Sequence, residues 1–154
     1  DGARPVPISL SGSGGTTVGR IQPGDTLSVL LSEALGSGVT LPATTTVTMT
    51  DPAGGGSDTL TIAGLLNGAR STGSNNYIST NNRSAAFAAS PLSLSADRAT
   101  ITVTVGPTCT GTGCASIGTN AAAAAVSMLL DPTLVDAVGN APTTTARNLT
   151  YRLF

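Results

Sequence analysis

The 154-residue chain carries a net charge of −1, has 10% charged and 40% hydrophobic residues, and contains no Lys, His or Trp. Those absences exclude a Ser-His dyad, a Schiff-base Lys and a basic footprint for nucleic acid. No apolar run approaches the ~20 residues that a membrane-spanning helix needs, and so few charges leave a surface built from Thr, Ser, Gly and Asn, which suits subunits that cover one another.

The chain opens on Asp1 rather than Met, which predicts a processed, secreted product. Residues 4–11, Arg-Pro-Val-Pro-Ile-Ser-Leu-Ser, set Val6, Ile8 and Leu10 at strand spacing as an apolar stripe. Pro5 and Pro7 lack the amide donors that would point along one edge, so this strand can bond fully to only one neighbour. Two readings follow: an edge strand of its own fold, or a donor strand filling an apolar groove on the next subunit. The Ser-Gly-Ser-Gly-Gly run at 11–15 reads as a flexible link. It divides an N-terminal arm, 1–15, from a single β-sandwich domain, 16–154.

Short strands are predicted at 27–31, 44–50, 59–62, 92–95 and 100–105. In 44–50, Val47 and Met49 alternate with Thr; in 100–105, Ile101, Val103 and Val105 do the same. β-branched Thr favours the pleated state and stays soluble without charge. Turn signals separate the runs: Pro23-Gly24-Asp25, Asp51-Pro52 with Gly54 to Gly56, and Gly139-Asn140. The polar stretch 64–83 reads as an irregular excursion in the middle of the domain. The two cysteines, Cys109 and Cys114, lack companion metal ligands and are expected to form a local disulfide, which implies an oxidising compartment.

Five Ala at 121–125 behind Thr119-Asn120 fit a capped helix, whereas 126–130, ending at Asp131-Pro132, fits a strand entering a turn. The strand is the reading taken. The final residues alternate again, with Leu149, Tyr151 and Leu153 on one face, and predict a last sheet strand ending without a trailing tail. Many short strands with frequent Gly and Pro turns indicate an all-β, antiparallel sandwich.

The stretch 23–34, Pro-Gly-Asp-Thr-Leu-Ser-Val-Leu-Leu-Ser-Glu-Ala, resembles an early strand of bacterial immunoglobulin-like cell-surface domains, where a Gly-Asp-Thr turn leads into a strand ending in Ser-Glu. Residues 134–141, with Asp136, Gly139 and Asn140, are similar to the late Asp-x-x-Gly-Asn turn of the same domains. The resemblance implies an immunoglobulin-like β-sandwich used in cell-surface architecture, and no reaction. Such domains run to about a hundred residues, so the middle excursion is enlarged here, and Leu31 stands where an aromatic is common.

The functional expectation is a secreted structural subunit, not an enzyme. It would polymerise with copies of itself by donating Val6, Ile8 and Leu10 to a neighbour, as donor-strand pili do in general, with the cell surface or other cells as further partners. Without Lys, neither sortase-type crosslinks nor internal isopeptide bonds can hold such a polymer, so the joint must be non-covalent. No membrane span, nucleic acid or cofactor is expected, and no metal. A calcium loop would draw on Asp131, Asp136 and Asn140, with Asp51 or Asp58 from another loop, but their spacing matches no known pattern. The alternative is a single immunoglobulin-like adhesion or carbohydrate-binding module, with Tyr77 as the candidate for stacking on sugar.

Overall fold

The computed structural model describes residues 2–154; Asp1, on which the reading of a processed start rests, lies outside the described residues. Alternation of Thr or Ser with apolar residues gives ten strands among them. These are β1 (Pro7–Ser11), β2 (Thr26–Leu31), β3 (Thr44–Asp51), β4 (Thr59–Ile62) and β5 (Arg70–Ser71). Then come β6 (Arg83–Leu94), β7 (Thr100–Thr104), β8 (Thr108–Thr110), β9 (Ala124–Met128) and β10 (Arg147–Tyr151). The larger sheet runs β1-β2-β7-β6-β3-β4-β5, with β8 also on β6, and every pairing is antiparallel. It curls into a half-barrel, the all-β antiparallel arrangement expected of a sandwich.

The second sheet, β9 with β10, reaches both ends of the first: β9 lies against β5 and β10 against β1. It therefore spans the open side of the half-barrel. Inside, Leu27 and Val29 of β2, Val47 and Met49 of β3, Phe87 of β6, and Val126 and Met128 of β9 form one core. Burying side chains of this size contributes roughly 1.5–3 kcal/mol each.

The curl has a local cause. β6 pairs with β3 and β8 in its first part and with β7 over Leu92–Leu94. Between them Ala89 takes a positive φ of 53° and β3 carries a bulge between Thr45 and Val47. A strand that changes partners through a bend makes the corner of a barrel. The first nine residues of β6 were not legible as strand, because Ala and Ser there replace the β-branched alternation.

The Ala-rich segment forms strand, not helix. β9 starts at Ala124, two residues before the expected 126, and its register sets Val126 against Leu149 and Ala124 against Tyr151. Covering the core outweighs the helix propensity of Ala. The excursion 64–83 is folded inward rather than outward: Leu65, Leu66, Tyr77 and Ile78 are buried, and bridges join Leu66 to Leu130 and Ile78 to Ile117.

Tyr77 is therefore unavailable to stack on a sugar. Its ring is wholly buried, and its Oη accepts hydrogen bonds from Leu153 N (2.9 Å) and Asn120 Nδ2 (3.0 Å). A buried aromatic body with a bonded hydroxyl is a core anchor.

Cys109 on β8 and Cys114, at the start of a 3-10 turn, are joined by a disulfide with a Cα separation of 5.9 Å. Closing so short a loop stabilises the fold by about 2 kcal/mol in the chain-entropy description. Replacing both with Ser should lower the unfolding free energy by about that amount in urea denaturation, with the spectrum of the fold retained. Tyr77→Phe leaves the buried Leu153 amide without an acceptor and should cost about 1–3 kcal/mol. That is readable as a fall in Tm of several degrees.

Candidate functional site

The segment expected to carry function sits in its own sheet. Val6 N donates to Ser32 Oγ (3.1 Å) and Val6 O accepts from Ser32 N (2.9 Å), so both backbone groups turn toward the β2 side. β1 then pairs with β2 as an edge strand, with Pro7 opposite Leu31 and Leu10 opposite Val29. Strand alternation puts Pro5 and Pro7 on the outer edge, where their missing amide donors leave the ladder incomplete.

A register shift between Pro7 and Ser9 interrupts the expected stripe. Leu10 packs against the core and Val6 is half-buried, whereas Ile8 is 43% exposed, beside Leu30 at 37%. One extra residue reverses the faces of all that follow. Val6, Ile8 and Leu10 thus do not act as one inward stripe in this register. Pro5 and Pro7 supply the buried positions before the bulge.

The run 11–15 is pinned rather than loose. Ser13 is tied to Thr26 three times: through its amide to Thr26 Oγ1 (3.0 Å), its hydroxyl to the same atom, and its carbonyl from Thr26 N (2.9 Å). Gly12 is required here, since a Cβ would lie 2.2 Å from Thr26 O. At the other end of the arm, Asn140 Nδ2 donates to Ala3 O (2.9 Å).

The late Asp-x-x-Gly-Asn turn is a hydrogen-bonded knot. Asp136 Oδ1 accepts from Val138 N (2.9 Å) and Asn140 N (2.8 Å), and Oδ2 from Asn140 Nδ2 (2.8 Å). Burial opposes its charge, but the bonds from Asn140 and Val138 prevail and hold its carboxyl below the ordinary value. Asp131 likewise caps its own turn, accepting from Thr133 N and Oγ1. A shallow cavity of about 430 Å3 lies between this turn and residues 36–40. Arg98 holds that second loop, donating to the carbonyls of Leu35, Gly36 and Val39. Asp131, Asp136 and Asn140 are engaged in turns rather than converging on a cation, and among the described residues no group of three Asp, Glu, His or Cys comes together.

Sequence reading names Asp51 or Asp58 only as additions to a calcium loop at 131–140; the structure brings the two together at the β3–β4 hairpin. Asp51 follows Val47 and Met49 on the inward face of β3, and Asp58 precedes Leu60 and Ile62 on the inward face of β4. Both are buried one residue beyond the last cross-strand pair, Thr50–Thr59. Asp58 Oδ2 accepts from Tyr77 N (2.7 Å) and Ile78 N (3.1 Å), but Oδ1 of each Asp has no partner. The signal in sequence is an inward-parity Asp at each end of a hairpin, and it is hidden at Asp51, where Asp before Pro reads as turn chemistry.

Burial raises the Asp58 carboxyl above its ordinary value, the amides of Ile78 and Tyr77 offset part of this, and the charge of Asp51 adds to it. Burial also raises Asp25, against bonds from Gln22 and Gly15. A raised folded-state value means stability that is full below the unfolded value of about 3.9 and is lost as pH climbs through the folded value. Asp97, bonded by Ser95 and the Ala99 amide, and Asp136 are lowered; their contribution is present above about 3.9 and is lost as pH falls. Unfolding free energy should therefore peak near pH ~4 in chelated buffer, and Asp58→Asn should flatten the descent on the alkaline side. Urea titrations across pH measure both.

No protein-family model matches this chain, and neither the curated proteins nor the solved structures contain a match to it.

Proposed function

We infer that this chain is a secreted, non-enzymatic structural subunit whose segment 4–11 is exchanged between copies to build a non-covalent extracellular filament. The observation that carries the reading is the one-sided bonding of that segment: Val6 bonds toward Ser32, and Pro5 and Pro7 disable the outer edge. A further strand cannot add fully to that edge. Assembly through this segment must therefore move it rather than extend it.

Exchange between identical chains recreates the same contacts in trans, so its cost is mainly that of association. The acceptor surface would be the seat the segment now fills: the edge of β2, Ser32 and Asn140. Passed head to tail with a rotation that does not close into a ring, such an exchange propagates as a filament. The disulfide fits an oxidising compartment outside the cell.

A second reading is a stand-alone immunoglobulin-like adhesion module. The triple tie between Ser13 and Thr26 favours it, because it holds the arm to its own domain. Burial of Tyr77 leaves the carbohydrate-binding version without its stacking residue.

Ser9 lies opposite Leu30 across β1 and β2, so Ser9→Cys with Leu30→Cys, oxidised in the dilute monomer, locks the strand at home. Under the exchange reading the parent chain forms filaments in electron micrographs and large species in sedimentation, while the locked variant stays monomeric. A parent chain that remains monomeric at its highest soluble concentration leaves the stand-alone module as the function.

A further inference from the structure

Two carboxylates are buried on one inward face at the closed end of the β3–β4 hairpin, each with an oxygen that lacks the partner burial demands. Asp58 is wholly buried and Asp51 is 3% exposed, and an oxygen of each is unbonded. Asp51 and Asp58 flank the last cross-strand pair, Thr50–Thr59, on the inward face, so the hairpin register sets the two groups beside each other. Buried carboxylates are retained where they are paired, protonated or bound to a metal ion. The two arginines of this region do not supply the pairing. Arg83 stands opposite Asp51 but donates through Nη1 to Thr112 O (3.1 Å), and Arg70 on β5 has a buried Nε with no partner of its own.

The geometry points to a divalent-cation site between Asp51 and Asp58, with calcium as its occupant. The donors are carboxylate oxygens, and both cysteines are committed to the disulfide, so a hard cation fits where zinc or copper does not. The connecting loop carries Gly54, Gly55 and Gly56, all with positive φ and all exposed. It gives the ion and the waters that fill its shell a way in. With only two carboxylates, affinity falls in the weak range of extracellular modules, a Kd of about 10⁻⁴–10⁻³ M. This site does not depend on whether segment 4–11 is exchanged.

The full chain is tested by thermal unfolding and calorimetric titration in about 10–100 mM calcium against chelator. Calcium at about 100 times the Kd should raise Tm by roughly 5–10 °C. Asp51→Asn, whose side chain breaks no hydrogen bond on replacement, should fold, melt higher than the parent in chelator, and lose the response to calcium. Asp136→Asn, in the separate turn closed by Asn140, should keep that response. Terbium emission sensitised by Tyr77, whose amide lies 2.7 Å from Asp58 Oδ2, reads occupancy directly and should vanish in Asp51→Asn. The proposal is overturned if calcium moves neither Tm nor heat in the parent. It also fails if Asp51→Asn responds as the parent does, or if removing Arg70 rather than Asp51 abolishes the effect.

Discussion

Ser90 stands where β6 leaves one set of neighbours for another, and the curvature of the whole sheet passes through it. Its hydroxyl donates to Phe87 O (2.8 Å) and accepts from Gly106 N (2.9 Å), so the groups freed by the bend are bonded although Ser90 is fully buried. Gly106 has to come this close: a Cβ there would lie 1.9 Å from Ala88 O. A flat sheet of this width could not enclose Phe87, Met49 and Val103 from three directions. With the corner in place, β9 and β10 cover the remaining side, and the ends of the half-barrel are left to loops.

Strands and loops alike are held by hydroxyls and amides where other proteins use ion pairs. Ser28 meets Thr102 at 2.7 Å and Thr50 meets Ser84 at 2.8 Å across neighbouring strands. Such pairs are neutral, so neither salt nor moderate pH change screens them. Arg98 spends its guanidinium on three carbonyls of one loop, a geometry that the planar fork of Arg meets and a Lys ammonium does not. The low charge of the chain is thus accommodated by a dense polar lattice rather than by an apolar surface.

Against that background the buried Asp residues stand out. Asp136 is saturated with donors and behaves as part of the backbone of its turn. Asp51 and Asp58 have the same burial without the same donors. Equal side chains at the two ends of the fold therefore do different things: one closes a loop, and the pair stores an electrostatic cost that an ion or a proton relieves. The edge strand belongs to a separate economy of contacts. Its bonding is complete on one side only, which is what both self-contained closure and exchange between copies require.

Sequence alone determined the all-β antiparallel class, the strands at 44–50 and 59–62, and the local disulfide, because alternation and five-residue cysteine spacing are short-range signals. It also placed the one-sided edge at Pro5 and Pro7, since a missing amide is a property of the residue itself. What only the tertiary structure decided was everything set by distant neighbours. Tyr77 went inward because Asn120 and Leu153 are there to bond its hydroxyl, and the Ala run became β9 because β10 needed a partner. A single bulge at Ile8 reversed the faces of β1, which no periodicity records. Asp51 and Asp58 look like ordinary turn residues in the chain; folding the hairpin onto Tyr77 and Ile78 takes their carboxylates out of water together.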